Sequence, residues 1–313
     1  MAKLVERIIV GVDVAKDRLE IHRRDTDEIV SISNTVDAIE AFLKALPGPV
    51  AVAIEATNSF HEPFVAQAFA SGHEIYLLDA FRLSRYRDAI GGRAKTDRSD
   101  AQLLSRYLER EGSSLKPLTP LGAEEKRIWT YLRRRAQVVR TRTRLKLSLK
   151  DLPQQMTLPV LEKLTVLADQ LEQSAVRLAR KLGWSADVER VKSMPGVGEL
   201  TAVALVACYR RLPFLNADKF VAYMGLDVRV RDSGQLKGKR RLTKKGDAEL
   251  RRLMFLAGRS ARRTQSRFKE AFEGMLSRGF SKTAADVAMG RKIARIAFAL
   301  LRSETDYRAE QPA

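Results

Sequence analysis

The spacing of apolar positions changes period several times along the chain. Residues 7–14 (RIIVGVDV) are apolar apart from Arg7 and Asp13, the pattern of a buried strand. Arg18 to Arg24 (RLEIHRR) and Glu28 to Ser33 (EIVSIS) alternate apolar with polar, which predicts two half-exposed antiparallel strands. Thr35 to Leu46 moves to helical spacing, with Ile39, Phe42, Leu43 and Leu46 on one face, and Pro47-Gly48-Pro49 ends it. Val50 to Ile54 predicts a second buried strand, Phe64 to Ala70 a helix and Glu74 to Leu78 a third buried strand. Thr96 to Arg110 predicts a helix whose apolar stripe is Leu103, Leu104, Tyr107 and Leu108.

Beyond Lys116–Pro120, a proline-marked linker, the pattern is helical. Glu124 to Lys150 predicts one long helix, with Pro153 and Pro159 breaking the chain after it. Leu164, Ala168, Leu171, Ala175, Leu178 and Leu182 then recur at alternating spacings of four and three, a heptad seam that Gly183 caps. Such a seam can pair within a helical hairpin or with a second subunit. Ser193 to Gly198 (SMPGVG) before the helix Leu200 to Cys208 has the form of a helix-hairpin-helix turn. Phe220 to Gly225 is apolar, and Ala284 to Leu301 predicts a last helix with Met289, Ile293, Ile296 and Leu300 on one side. Residues 304–313 read as a frayed polar tail.

Composition adds a partner class. The chain has 313 residues and a formal net charge of +19. The charge is unevenly spread. Residues 1–120 hold 16 Lys+Arg and 18 Asp+Glu, a net of −2; subtraction from the totals of 57 and 38 leaves 41 and 20 beyond them, a net of +21. That excess argues for a polyanionic partner. A single cysteine, Cys208, excludes an intrachain disulfide or a cysteine zinc site and reads as a small core hydrophobe. His22, His61 and His73 have no metal-ligand spacing. No apolar run approaches a membrane span, and the amino terminus lacks a signal-peptide pattern, so a cytoplasmic location is expected.

Four acids carry the candidate chemistry. Asp13 (GVDVAK) and Glu55 (VAIEATNSF) end apolar strands, while Asp97 and Asp100 (KTDRSDA) lie three apart in the first turn of a helix. Carboxylates in a first turn are favoured by the helix dipole even without a ligand. Four in one cleft, however, would repel one another and resist ionising unless cations neutralise them, and Mg²⁺ suits an all-oxygen donor set. The order of three strands, helix, strand, helix, strand, helix is that of a ribonuclease H-like α/β domain, with metal carboxylates on its first and fourth strands and a later helix.

The basic half supplies the candidate nucleic-acid contacts. Lys126 to Lys150 contains ten Lys/Arg and no acid, Arg133, Arg134, Arg135, Arg140, Arg142 and Arg144 among them. A run this unbalanced suits a phosphate backbone better than a solvated face. Gly196 and Gly198 would let backbone N–H groups approach a phosphate. Ser233-Gly234 stands in what reads as a flexible loop beside Lys237, Lys239, Arg240, Arg241, Lys244 and Lys245. A serine beside glycine is ordinarily a turn residue. Cations that could hold a scissile phosphate make Ser233 a candidate nucleophile.

The blocks GVDVAK, IEATNSF, KTDRSDA, PGVG, FVAYMGL, Ser233-Gly234 and KKGDAELRR, in that order, resemble the DEDD transposases of the insertion sequence 110 family, which include the Piv-type DNA invertases. The resemblance runs nearly end to end. It implies an α/β plus all-α protein: a RuvC-like ribonuclease H-fold domain over 1–115, a helical coiled-coil linker over 116–190, a mostly helical transposase domain over 191–302 and a tail over 303–313. It implies that Asp13, Glu55, Asp97 and Asp100 bind Mg²⁺ and that Ser233 forms a covalent phosphoserine link to DNA. It further implies a structured non-coding guide RNA that pairs with element ends and target, and a homodimer or homotetramer in which one subunit's serine serves another's RuvC-like domain. Asn58, Phe60 and Asp227-Val228 depart from the family's usual glycine, tyrosine and Thr-Pro without removing a proposed catalytic group. Two other readings compete: a metal-dependent RuvC-like junction nuclease without serine chemistry, and a non-catalytic RNA/DNA scaffold.

Overall fold

The computed structural model describes residues 7–55, 60–91, 97–229, 232–233, 236–237, 240–264 and 267–308. The chain divides into two compact units, Met1–Pro120 and Leu121–Ala313.

The first unit is built on a five-stranded sheet of order β3-β2-β1-β4-β5: β1 (Ile9–Val14), β2 (Arg18–Arg23), β3 (Glu28–Ser33), β4 (Ala51–Glu55) and β5 (Glu74–Leu78). β1, β2 and β3 pair antiparallel, while β1–β4 and β4–β5 pair parallel. This is the ribonuclease H-like topology. Strand alternation sorts side chains onto two faces. Val10, Val12, Leu19, Ile21, Val52 and Ile54 pack with α1 (Val36–Lys44) and α2 (Glu62–Ala70) through Ile39, Leu43 and Phe64. Ile9, Ala51, Ala53 and Tyr76 pack on the other face with α3 (Ala80–Ala89) and α4 (Asp97–Glu111) through Leu83, Leu104 and Leu108.

Two expectations change here. β2 is buried along most of its length rather than half-exposed. Its polar residues are inside because they have partners: Glu20 accepts from Ser31 Oγ at 2.8 Å, and His22 bonds Ser105 Oγ of α4 at 2.7 Å and Asp27 at 2.9 Å. α3 has no counterpart in the apolar pattern, because Leu83 is its only buried residue. It is held instead by its Asp79 cap, which accepts from the Arg82 N–H, and by the edge-to-face contact of Tyr86 with Tyr107 of α4.

His73 gives this unit a pH dependence. It is 6% exposed, and its Nδ1 accepts from the Val50 N–H at 3.2 Å. Burial holds its imidazole below the ordinary 6.5. The unfolded chain therefore takes up the proton first, and stability falls as pH drops below about 6.5. Thermal unfolding at stepped pH is expected to show this loss, and His73→Asn, which keeps an acceptor but cannot titrate, should reduce the slope. Equal slopes would rule His73 out as the cause.

The second unit is helical: α5 (Ala123–Ser148), α6 (Gln154–Lys181), α7 (Ser185–Lys192), α8 (Glu199–Arg211), α9 (Ala217–Tyr223), α10 (Ala248–Ala261), α11 (Arg267–Ser277) and α12 (Lys282–Ser303), with short strands β6 (Val228–Arg229), β7 (Asp232–Ser233), β8 (Leu236–Lys237) and β9 (Arg241–Leu242). α8 is its centre, buried from Leu200 through Cys208. Burial pushes the Cys208 thiol well up, so it stays a protonated core group. Pro159 does not break the chain; it lies inside α6. One lost backbone bond is offset by packing along the hairpin. Seam residue Ala175 is buried in one core with Ile128, Trp129 and Leu132 of α5, and Arg135 meets Glu172 at 2.8 Å and Arg142 meets Thr165 at 2.8 Å across from α5 to α6. Among the described residues no helix is long and apolar enough to cross a membrane.

Candidate functional site

Asp13 and Glu55 come together through strand register. β1 and β4 run parallel with Val12 opposite Ile54, so Asp13 and Glu55 are the next pair along, at the carboxyl ends of neighbouring strands. Alternation puts both on the face that carries Gly11 and Ala53, the face α4 covers. Each is half-buried where the strand residues before it are fully buried.

α4 approaches that pair end-on. A side chain at Gly11 would lie 2.1 Å from the Ala101 carbonyl and 2.6 Å from the Ser105 nitrogen, so glycine lets the helix backbone rest on β1. Farther along, Glu109 accepts from Arg24 at 2.9 Å, and the Arg24 N–H donates to the Ile9 carbonyl. The helix thus runs opposite to β1, with its first turn at the Asp13 end. Asp97 precedes Ala101 by one turn, and Asp100 precedes Leu104 by one turn, so both follow the sheet-facing stripe beyond the apolar core. The side chain of Asp97 lies outside the described residues. Asp100 forms an ion pair with Arg87 of α3, both side chains largely withdrawn from solvent. Sequence reasoning missed Arg87, because no local pattern marks a partner brought in by a separate helix.

Among the described residues, no three His, Cys, Asp or Glu side chains are grouped to hold a metal. Asp97 is not part of that set, and Asp100 is turned to Arg87. The donor chemistry still fits: oxygen ligands from two adjacent strand ends and one helix turn are what a hard divalent cation takes.

The basic candidates separate by environment. Arg134, Arg140 and Arg144 are exposed on α5. Arg133 is exposed but reaches Asp247 at 3.2 Å. Arg135 and Arg142 are half-buried and engaged with α6, a correction to reading the whole run as one phosphate-facing surface. Helical periodicity is the reason: a run longer than one turn must place some members on the packed face. Exchanging Arg134, Arg140 and Arg144 together for Gln is expected to weaken binding to every DNA sequence and to flatten the log K against log salt slope by roughly one unit per lost phosphate contact. Arg135→Gln should instead destabilise the hairpin by on the order of 1 kcal/mol. Salt titration and thermal unfolding separate the two, and an unchanged slope in the triple variant would show that this face meets no phosphate.

Gly196 adopts φ +81°, and a side chain there would meet the α10 backbone at Ala261 and Ala257, at 2.4 and 2.6 Å. A Cβ at Gly198, the N-cap of α8, would meet open space. Ser233 is not in an unstructured loop. It is strand-paired, opposite Leu236 in the β7–β8 hairpin, and the outer pair β6–β9 joins Arg229 to Arg241. The side chains of Ser233 and Lys237, and all of Asn58, Gly234 and Lys239, lie outside the described residues. Arg240, Arg241, Lys244 and Lys245 are described, and their side chains reach the surface. The base of this segment is fixed by close backbone packing: at Gly225, φ +69°, a side chain would come within 2.9 Å of the Lys244 and Lys245 backbone. The blocks FVAYMGL and KKGDAELRR are therefore neighbours in space.

Comparison with known proteins agrees. An IS110-type DEDD transposase family model, described as "Transposase", matches residues 10–157, and one described as "Transposase IS116/IS110/IS902 family" matches residues 188–273. The chain belongs to the IS110 family of DEDD transposases. A Pseudomonas aeruginosa protein named "Probable family 20 transposase" is 26% identical over 96% of this chain and 98% of its own length. The "Pilin gene-inverting protein" of Moraxella lacunata is 25% identical over 81% of this chain and 80% of its own. Among solved structures, Thermus thermophilus RuvC in complex with Holliday junction substrate overlaps 36% of this chain at 15% identity, with a TM-score of 0.26. The fold assignment rests on the strand order and the family match. This IS110-family chain is a transposase with a ribonuclease H-like domain, a DNA recombinase by family, and its DEDD set implies a divalent metal.

Proposed function

We propose that this transposase cleaves and rejoins DNA strands through a Mg²⁺ site made by Asp13, Glu55, Asp97 and Asp100 and a nucleophile, Ser233. The observation that carries the metal half is the meeting of Asp13 and Glu55 at two parallel strand ends, with the first turn of α4 directed to the same edge. Bound there, the cation would neutralise the carboxylates and stabilise charge developing on the scissile phosphate. The carboxylates' own work is to hold position: two sit on rigid strands and two on a helix locked to β1 at Gly11.

The serine half is supported by the hairpin and its cations. Ser233 Oγ attacks phosphorus, its proton passes to a base, and the bond from phosphorus to the leaving deoxyribose oxygen breaks, that oxygen taking up a proton to leave as a free strand-end hydroxyl. A phosphoserine diester then stores the bond energy. A strand-end hydroxyl attacks it in turn and regenerates the serine, so exchange needs no external energy source. Arg240, Arg241, Lys244 and Lys245 hold the phosphate and offset its charge. Exposed Arg134, Arg140, Arg144 and the open N-terminus of α8 at Gly198 carry nucleic-acid backbone. A structured non-coding RNA chooses sequence by pairing, which suits a basic half whose cations favour phosphates over base edges. The α5–α6 hairpin links the RuvC-like and transposase domains, and assembly is as a dimer or tetramer.

The test is a denaturing gel of the protein incubated with labelled element-end DNA, the flanking transcribed RNA and Mg²⁺. A covalent protein–DNA band supports serine chemistry. Cleavage without that band moves the assignment to a water-using, metal-dependent nuclease.

A further inference from the structure

A cavity of about 270 Å³ flanks the first turns of α4 and adjoins the site above through Arg87. Arg24, Arg87 and Arg106 line it, with Ser99, Gln102 and Asp27. Among the lining residues are three guanidinium groups and one carboxylate, Asp27, which bonds His22. Ser99, Gln102 and Arg106 follow one another at helical spacing along a single face of α4. A water's share of liquid volume is about 30 Å³, so the cavity holds one phosphate group and a few waters. Planar guanidinium forks match phosphate oxygens bidentately.

Two of the three arginines are already engaged. Arg24 is held by Glu109, whose carboxyl lies below the usual range chiefly through that hydrogen bond. Arg87 is held by Asp100. One guanidinium thus lines the anion cavity and at the same time occupies a carboxylate assigned to the metal.

We propose that this cavity is a subsite for a backbone phosphate of the nucleic-acid strand, and that Arg87 couples its filling to the metal site. Arg87 gives up Asp100 and takes the phosphate. Asp100, left without a counter-charge, turns to the cation. Coupling is reciprocal: cation binding at Asp100 releases Arg87 to the phosphate. The carboxylate set then completes itself only when a strand is present, which keeps a hydrolytic metal site from standing open. The inference rests on Asp100 being a metal ligand.

The test is Mn²⁺ binding to the full-length protein, followed by water-proton relaxation, with and without a short single strand, with binding to the strand alone subtracted. DNA and RNA strands run as separate arms, and the arm that responds identifies the source of the phosphate. In wild type a strand is expected to tighten Mn²⁺ about tenfold, within the range usual for coupled sites. Arg87→Gln should bind Mn²⁺ several-fold more tightly than wild type without a strand and gain nothing from one. Arg106→Gln, an exposed change that does not touch Asp100, should bind Mn²⁺ like wild type alone and lose most of the strand effect. Circular dichroism checks that each variant is folded. If Mn²⁺ binds but both variants match wild type with and without strand, the subsite is overturned and the metal site stands. If Mn²⁺ binds no form of the protein, the metal reading fails and takes the subsite with it.

Discussion

Asp13→Ala is expected to abolish strand exchange while leaving most nucleic-acid affinity in place. Asp13 stands beside Glu55 at the ends of β1 and β4, on the face that α4 covers. An alanine there removes the proposed metal ligand without disturbing the apolar pairs below it, because Val10, Val12 and Val14 point to the opposite face. Affinity survives because carboxylates contribute nothing attractive to phosphates, and the cations lie mostly beyond residue 120. The rate should fall by about a hundredfold or more, the scale of losing one preorganised electrostatic contact to a phosphate in transition. Asp97→Ala and Asp100→Ala should behave alike. Exchange kinetics beside filter binding measure both quantities. Wild-type exchange in any of the three would remove that residue from the site. Parallel loss of rate and affinity would point to folding instead.

Ser233→Ala is expected to eliminate the covalent protein–DNA band with nucleic-acid binding unchanged. The serine pairs with Leu236 in a short hairpin whose base is fastened by the close approach of Gly225 to Lys244 and Lys245. Removing one hydroxyl leaves that backbone pairing intact, so loss of the band reports chemistry and not structure. A nucleophile that becomes covalent has no partial substitute, and the loss should be complete within detection. A band that persists in Ser233→Ala would assign the covalent link to another side chain. Cleavage without a band in wild type and variant alike would leave water as the nucleophile and Ser233 as a structural residue of β7.

Much of the first unit was legible because its signals are local. Buried strands announce themselves as apolar runs, and a carboxylate that ends such a run stands out against it; Asp13 and Glu55 are both of this kind. α3 was not legible, since a cap and one aromatic contact hold it in place of an apolar stripe. Pro159 misled because a proline is a local signal, while the packing that carries α6 past it is not. The arginine run misled in the same way. Charge can be counted along a sequence, but Arg135 and Arg142 turn inward only because α6 lies beside them.

By itself, then, the sequence determined the order of the five strands of the first unit and of the helices that carry an apolar stripe, the division into a near-neutral half and a basic half, the four acids and the order of family blocks. Each of these is a property of neighbours in the chain. Tertiary structure alone decided that Asp13 and Glu55 sit side by side, that α4 brings its first turn to their edge across Gly11, that Arg87 holds Asp100, and that Gly225 clasps the base of the serine hairpin. Those are contacts between residues far apart in sequence. They exist because strand register and close backbone packing join distant segments, and periodicity along a chain carries no information about which segments will meet.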